Sequence, residues 1–427
     1  MVAVSGAFFL VALIIFIGYF GLLFFKKTKI SEILVLLLIG VLIGPVLGII
    51  GPAELVAFQD FLPFFASFAL MIVLFEGGMQ LNFFKTIKSL PSAFIFAIIV
   101  FVLTVVLIAG VWFFFTGNLL QGLLLGAILG GTSSEIIIPL LYNTSAKEES
   151  KTLLGLDSAL TDALCVISAV AIASVIVLVG SGNSASLDVS SIGSSILAAF
   201  SIAAVLGFIF GLVWVRLLSF FEKKPYEYLL TLAVLLLSYS IVEYFGGNGA
   251  IAALTFGLVL GNSEDLTNML RFTPRKIEGT IKSFQMEVSF IVRTMFFVYL
   301  GLLFKPSYLN DSFVVLVSVG IVAVIILARY FGAVIISFLN TAFVSDKLFI
   351  TAMNARGLAA AGLISFPIIV SLNFGPVFAQ MTAVVFIVIF LSNLTTTVGV
   401  LISERQRFGE KKTIFVEMDS KIANAKP

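Results

Sequence analysis

Glycines and polar residues interrupt an otherwise apolar segment of the chain, GAILGGTSSEIIIPLL at residues 126–141. The interruption runs from Gly130 to Glu135. A second apolar segment, TAMNARGLAAAGLISFP at residues 351–367, is interrupted around Arg356. Unwound backbone inside a membrane is tolerated only where it lines a cavity or packs against protein. In a membrane-spanning chain, the two segments therefore predict two broken helices.

The composition of the chain is that of a membrane protein. Of its 427 residues, 60% are hydrophobic and 11% are charged, which is more apolar surface than a soluble domain can bury. A spanning helix needs ~20 mostly apolar residues, and about thirteen such runs occur. They lie near residues 5–25, 31–51, 61–81, 92–115, 119–142, 152–179, 193–220, 228–245, 248–262, 285–304, 312–340, 347–372 and 377–402. We predict an all-α polytopic membrane protein with about thirteen transmembrane helices. Residues 1–407 would form the transmembrane domain, and residues 408–427 a short cytoplasmic tail.

Several classes of site are excluded by residues that the chain lacks. Histidine is absent and Cys165 is the single cysteine, so the chain has no histidine metal site and no internal disulfide. The net charge of +2 gives no indication of nucleic acid binding. Acids within a membrane could indicate an aspartyl protease, but the motifs of that class are absent. We therefore predict a protein that is not an enzyme and needs no cofactor.

The basic residues of the connections predict the orientation. Lys and Arg mark the cytoplasmic side of a membrane, and they recur in alternate connections, for example at Lys85, Arg216, Arg271 and Lys347. In the opposite connections, Lys305 is the only basic residue. This alternation requires an odd number of helices if the N-terminus lies outside and the C-terminus in the cytoplasm. Thirteen helices meet that requirement.

The two interruptions fall at corresponding places in two sets of helices. The first lies in the fifth predicted span and the second in the twelfth, so each is the fourth member of a set of five, spans 2–6 and spans 9–13. The two sets run in opposite directions through the membrane. Inverted five-helix repeats whose broken helices cross at the midplane are typical of secondary transporters. The alternative is that the glycines are ordinary small-residue packing contacts between helices.

The sixth span contains acidic residues in the sequence LGLDSALTDA, residues 154–163. Asp157 and Thr161 are four residues apart, and so are Ser158 and Asp162, so the four side chains share one helix face. Asp162 lies about 15 Å along the span, near the bilayer midplane. Carboxylate and hydroxyl oxygens suit a hard cation such as Na⁺.

An acid at this depth can also bind a proton, because a carboxylate removed from water holds a proton more strongly. One site that binds either a proton or a cation would couple the two fluxes by competition. The alternative is that the acids are structural and paired with arginines. That alternative fits Asp157 better than Asp162, since it does not explain the hydroxyl groups beside Asp162.

Five motifs of the chain resemble those of a known family, the monovalent cation:proton antiporter superfamily, in its sodium/hydrogen exchanger-like branch. They are LLLIGVLIGPVLG (36–48), GGTSSEII (130–137), LGLDSALTDA (154–163), ILARYFGAV (326–334) and ARGLAAAG (355–362). The resemblance covers the chain up to about Arg407. It implies a homodimer that transports Na⁺ or another monovalent cation and H⁺.

The resemblance also implies roles for residues. Asp162 matches the family's essential aspartate, and Asp157 matches the acid that pairs with an arginine, here Arg329. Arg356 matches the Arg-Gly element of the second broken helix. The residues expected to bind the cation and the proton are Asp162, Asp157, Ser158, Thr161, Thr132 and Ser133. As direct metal ligands we expect Asp162, Ser158, Asp157 and Thr132.

The chain departs from the family pattern at several positions. Thr161 stands where the family has Asn or Asp, which by analogy favours electroneutral exchange. Ser133 and Ser134 replace the Asp and Pro of the first unwound stretch. Glu135 has no counterpart, and could be a substitute ligand or a charge at the entry to the cavity.

The remaining charges within predicted spans are structural or gating candidates. We expect Arg356 to bond the exposed carbonyl groups of a half-helix end. Arg293 lies six residues after Glu287 and so on a different helix face; it could neutralise Asp162 or Glu135. Glu76 lies near the cytoplasmic end of the third span, as a solvated acid or as part of a gate.

The sequence therefore favours a secondary antiporter of the cell membrane that exchanges Na⁺ for H⁺ by alternating access. Exchange of K⁺ is the alternative within the family, and hydroxyl and carboxylate oxygens would also serve Li⁺. A cation channel needs a continuous polar pore, whereas the polar residues here cluster at one depth.

Overall fold

The computed structural model of the chain is built of helices. It describes residues 32–49, 62–80, 91–142, 144, 146–180, 189–221, 227–269, 279–372 and 374–424, with isolated positions between 12 and 23. The α-helices are α1 (Glu32–Val41), α2 (Leu62–Gln80), α3 (Pro91–Thr116), α4 (Leu119–Leu129), α5 (Ser134–Tyr142), α6 (Glu148–Gly180), α7 (Val189–Phe221), α8 (Glu227–Tyr244), α9 (Gly249–Gly261), α10 (Ser263–Met269), α11 (Gly279–Leu303), α12 (Ser312–Leu339), α13 (Lys347–Ala352), α14 (Leu358–Ile364), α15 (Pro367–Val370) and α16 (Pro376–Asn424). A π-helical turn, Leu42–Val46, extends α1, and 3₁₀ turns at Pro306–Asn310 and Thr341–Asp346 follow α11 and α12.

The predicted spans coincide with these helices. Each span from the second to the thirteenth contains a helix or a broken helix, and the first, 5–25, lies largely outside the described residues. Among the described residues, eight helices are long and apolar enough to cross a membrane. The prediction of a polytopic all-α membrane protein is confirmed. The last helix, however, continues through the expected tail to Asn424, because the residues after Arg405 include many helix formers and no proline before the terminus.

Both interruptions break their helices as expected. Residues 130–133 separate α4 from α5, and residues 353–357 separate α13 from α14. The unwound backbones touch, since the Ser133 amide donates to the Ala355 carbonyl over 3.0 Å. A side chain at Gly357 would collide with the Ser133 hydroxyl. The glycine therefore permits the crossing of the two broken helices.

Helix packing reproduces the inverted repeat. The first set consists of α1, α2, α3, the α4–α5 pair and α6, and the second of α9, α11, α12, the α13–α14 pair and α16. The first helix of one set packs against the second helix of the other, in both directions: α1 against α11, and α9 against α2. The third helices, α3 and α12, pack against each other. Such mutual contacts are what a two-fold relation between copies of one unit requires.

Glycines bring the backbones of these partner helices into direct contact. A Cβ at Gly40 of α1 would collide with the Val298 carbonyl of α11, and one at Gly301 would collide with the Leu37 carbonyl. The other pair of helices, α9 and α2, has the same kind of contact, because a Cβ at Gly257 of α9 would collide with the Phe75 carbonyl of α2. Small residues allow this close approach between membrane helices.

The helices form two bundles. Helices α1, α2, α7, α8, α9 and α11 pack mainly with one another and are named the scaffold bundle, while α3–α6, α12–α14 and α16 form the site bundle. The glycine contacts above lie inside the scaffold bundle. At the boundary between the bundles, a Cβ at Gly362 of α14 would lie 3.7 Å from the Leu70 side chain of α2, an ordinary van der Waals distance. The two broken helices cross within the site bundle.

Candidate ion-binding site

Asp162 lies where α6 passes the first unwound stretch. Its Oδ2 accepts two hydrogen bonds from Ser134, one from the backbone amide at 3.1 Å and one from the hydroxyl at 2.7 Å. Ser134 is the first residue of α5, where amide groups have no partner within the helix. The positive end of the helix dipole also favours a negative charge there. The half-helix thus presents amide, hydroxyl and dipole to one buried carboxylate.

Two residues predicted to bind the cation, Thr132 and Ser133, make hydrogen bonds with groups other than the Asp162 carboxylate. The Thr132 hydroxyl donates to Asp157, and the Ser133 amide donates to the Ala355 carbonyl. Ser134 takes this place because α5 begins there, and its helical position directs both of its donors to α6. The sequence signal for Ser134 is its place as the last polar residue before Glu135 and the apolar run of α5.

Asp157 is held by an arginine and a hydroxyl. Its Oδ2 accepts from Arg329 Nη1 at 2.9 Å and from Thr132 Oγ1 at 3.2 Å. Thr161 completes the cluster, because its hydroxyl accepts from the Thr132 amide at 3.1 Å and donates to the Asp157 carbonyl at 2.8 Å. Arg329 also donates from Nε to the Ile350 carbonyl at 3.3 Å. The contact expected between Asp157 and Arg329 is therefore present.

Ser158 is buried, but its hydroxyl donates to the Gly155 carbonyl of its own helix at 3.0 Å. Ser158 was expected to share a ligand face with Asp162. A hydroxyl on a helix can bond the carbonyl three or four residues earlier, and here that local bond is made.

Arg356 binds the end of the other broken helix. Its guanidinium donates to the Leu129 carbonyl at 2.6 Å, the Gly130 carbonyl at 3.4 Å and the Asn354 carbonyl at 3.1 Å. The first two carbonyls end α4, where they have no partner in the helix. Arg356 is only 1% exposed. Its placement at exposed carbonyl groups is the one anticipated from the sequence.

Arg293 contacts two carboxylates on other helices. Its Nη2 lies 3.5 Å from Glu32 Oε1, and its Nη1 lies 3.8 Å from Glu135 Oε2. Of the two acids considered for Arg293, the structure brings Glu135 to it. Glu32, in the first turn of α1, is a second acidic partner that the sequence did not predict. Glu76 is half-buried and interacts electrostatically with Glu135 and Arg293, so it is part of this charged cluster and not simply a solvated helix end.

The arrangement can bind a monovalent cation only through mixed oxygen ligands. Among the described residues, no three acidic or cysteine side chains lie close enough together to hold a metal ion. A cation beside Asp162 would therefore use its carboxylate together with hydroxyl, backbone or water oxygens. Monovalent hard cations accept such oxygen ligands.

Comparisons with known proteins agree with this geometry. The model of the transmembrane sodium/hydrogen exchanger family matches residues 11–403. The K(+)/H(+) antiporter NhaP of Alkalimonas amylolytica is 28% identical over 372 residues, which cover 83% of this chain and 60% of that protein. The Na(+)/H(+) antiporter 1 of Methanocaldococcus jannaschii is 26% identical over 370 residues, covering 81% and 82%. This chain thus spans about three fifths of the length of the K(+)/H(+) relatives.

A solved structure has the same fold. The sodium proton antiporter MjNhaP1 from Methanocaldococcus jannaschii, determined at pH 8, superposes with a TM-score of 0.74 at 22% sequence identity. The match covers 93% of this chain and 100% of that one.

Proposed function

This chain belongs to the transmembrane sodium/hydrogen exchanger family, and we propose that it is a secondary active antiporter that exchanges Na⁺ for H⁺. The observation that carries the proposal is the Asp162 carboxylate, which is 7% exposed and receives two hydrogen bonds from the start of a broken helix. A carboxylate so placed can release a proton when it binds a cation. Competition at one carboxylate is the coupling step.

The other residues of the site have supporting roles in this proposal. Asp157 is neutralised by Arg329 and is therefore unavailable to a cation of its own. Thr132 and Thr161 link the unwound stretch to α6 through their hydroxyl groups. Arg356 ties the end of α4 to the second unwound stretch. These contacts hold Ser134 against Asp162 while the cation enters.

We further propose that the exchange is electroneutral. Thr161, beside Asp162, carries no charge, and the charge of Asp157 is already balanced by Arg329 at 2.9 Å. Only Asp162 then alternates between a proton and a cation at this site. One Na⁺ would replace one H⁺ in each half of the cycle.

The location and assembly are also proposals. The alternation of basic connections supports a cell membrane protein with its N-terminus outside and its C-terminus in the cytoplasm. Glu149→Cys and Asn310→Cys, both at exposed positions, should be labelled by impermeant reagents from opposite sides of the membrane; labelling from one side would refute this topology. The family resemblance supports a homodimer, which the mass of the detergent-solubilised protein would test.

The test of the function is ion exchange by the reconstituted protein. Vesicles are given a pH gradient, and Na⁺, Li⁺ and K⁺ are titrated outside while internal pH is followed. We expect Na⁺ to be exchanged, with a half-maximal concentration that rises as pH falls, because protons compete for Asp162. A clear preference for K⁺ would identify the exchanger as a K⁺/H⁺ antiporter, and Na⁺ flux without proton movement would indicate a channel.

Asp162→Asn decides whether this carboxylate is the shared site. The amide keeps the size of the side chain but cannot exchange a proton for a cation, so exchange should be abolished while the protein remains folded. Glu149→Gln, an exposed acid on the same helix, is the matched control and should retain exchange. Full exchange by folded Asp162→Asn would place the site elsewhere.

A further inference from the structure

Arg293 has one acidic partner on each side of the boundary between the two bundles. It lies on α11 of the scaffold bundle, as does Glu32 on α1, whereas Glu135 lies on α5 of the site bundle. The Arg293 guanidinium therefore lies 3.5 Å from Glu32 within its own bundle and 3.8 Å from Glu135 across the boundary.

The residue that Arg293 contacts across the boundary, Glu135, is the sequence neighbour of a residue in the ion-binding site. Glu135 follows Ser134, whose amide and hydroxyl bind Asp162. Any force that Arg293 exerts on Glu135 therefore acts on the first turn of α5.

We propose that Arg293 is a latch residue: it fastens α5 to the scaffold bundle in the present conformation and releases Glu135 when the bundles move. The consequence for transport rests on the antiporter function proposed above, since alternating access needs the bundles to separate on one side of Asp162 at a time. The proposed latch concerns only the positions of the two bundles, and not the flux of ions.

The geometry suits a contact that forms and breaks. Charge-assisted hydrogen bonds are about 2.7–2.9 Å long, and both contacts of Arg293 are longer. Neither Glu135 oxygen, nor Nε of Arg293, has a hydrogen-bond partner in the described part of the chain. The attraction across the boundary is thus electrostatic, without the directional bonds that would resist sliding.

Glu32 makes release possible at low cost. A buried arginine that loses its only partner is strongly destabilising, but Arg293 keeps Glu32 in either conformation because both belong to the scaffold bundle. Glu76 on α2, in the same bundle, adds a second negative charge near the guanidinium. The cation is therefore never isolated when Glu135 leaves.

The boundary has a different character at the other end of α11. A cavity of about 170 Å³ lies between the end of α11 and the site bundle, lined by Leu300, Phe304, Ile364, Ser365 and Phe386 among others. Its lining is largely apolar side chain, and it includes the stacked rings of Phe304 and Phe386. The two bundles are thus joined by charged groups near Arg293 and by apolar side chains beyond the end of α11.

The experiment measures the distance between the bundles on the latch side. Nitroxide labels are placed at Met286→Cys on α11 and Thr152→Cys on α6, both exposed positions. Native Cys165 is 2% exposed and is left in place, with the unmutated protein as the labelling control. Pulsed paramagnetic resonance in nanodiscs gives the distance distribution.

We expect Glu135→Gln and Arg293→Met to raise the ratio of long-distance to short-distance populations roughly five- to tenfold, the size expected for loss of one modest polar interaction. Arg293→Lys, which keeps the charge, should restore part of the short-distance population. Glu32→Gln is the matched control: it removes the partner that stays with Arg293 when Glu135 leaves, so it should not raise the ratio.

The latch is refuted if Glu135→Gln leaves the distribution as it was, or if Glu32→Gln shifts it equally. Glu135→Gln decides the matter even where Arg293→Met fails to fold. Because the distances are measured without ion flux, a failed latch is distinguishable from a failed antiporter: the first leaves exchange through Asp162 intact, and the second leaves the distance change intact.

Discussion

Two arginines within the helices of this protein, Arg329 and Arg293, pair with carboxylates in different ways. Arg329 is 1% exposed and bonds Asp157 at 2.9 Å, with a further bond to the Ile350 carbonyl and the Phe96 ring 5.6 Å from its guanidinium carbon. Arg293 is 16% exposed and approaches its two partners only to 3.5 and 3.8 Å. Arg329 and Asp157 belong to one bundle, whereas Arg293 contacts both.

Under the latch proposal, the same residue types serve permanent and temporary contacts. The pair of Arg329 and Asp157 is short and enclosed inside one bundle. A pair across a boundary that slides, as proposed for Arg293, would not use short directional bonds, since these would be broken in every cycle. Two glycines show a similar contrast in backbone packing, which is direct at Gly301 inside the scaffold bundle and at ordinary van der Waals distance at Gly362 on the boundary.

Among the substitutions that test the difference between the two arginines, Arg329→Ala should cause the largest loss of stability. Asp157 would be left buried without its cation, which costs about 3–5 kcal/mol of unfolding free energy. Asp157→Ala in the same protein should recover part of the loss, because no isolated charge remains. Chemical denaturation in mixed micelles measures both. If Arg329→Ala is as stable as the parent protein but loses its cation affinity, Arg329 is a functional gate and not a structural partner.

Arg293→Ala should be less damaging. It removes two long contacts, of 3.5 and 3.8 Å, so we expect a loss of about 1–3 kcal/mol, the range for leaving buried polar groups unsatisfied. The same denaturation measurement gives the value. A loss equal to that of Arg329→Ala would show that Arg293 is a permanent part of the fold, and the contrast between the two arginines would fail.

A pair of glycine substitutions extends the comparison to the backbone. Gly301→Ala puts a methyl group against the Leu37 carbonyl inside the scaffold bundle and should cost about 1–3 kcal/mol by overpacking. Gly362→Ala, at the boundary, meets nothing closer than 3.7 Å and should be neutral or stabilising by up to about 1 kcal/mol through helix propensity. Equal destabilisation by both would mean that the boundary is as tightly packed as the bundle interior.

Local patterns were enough to locate the spans and the breaks, because hydrophobic length and glycine content are properties of short segments. They also placed Asp157, Thr161 and Asp162 on one helix, since helical spacing is regular. They did not identify Ser134 as the partner of Asp162. The expected partners, Thr132 and Ser133, are two residues and one residue away from Ser134, and helical turns near a break cannot be assigned from composition.

The sequence by itself determined that this chain crosses a membrane many times, that two of its helices are broken at matching places, and that an acid lies deep in the sixth span. Each of these follows from residues close together in the chain. Only the tertiary structure decided which groups meet at those places: Ser134 with Asp162, and Glu32 and Glu135 with Arg293. These partners lie on different helices, and their contacts depend on how closely whole helices approach one another, which the glycines of distant segments control together.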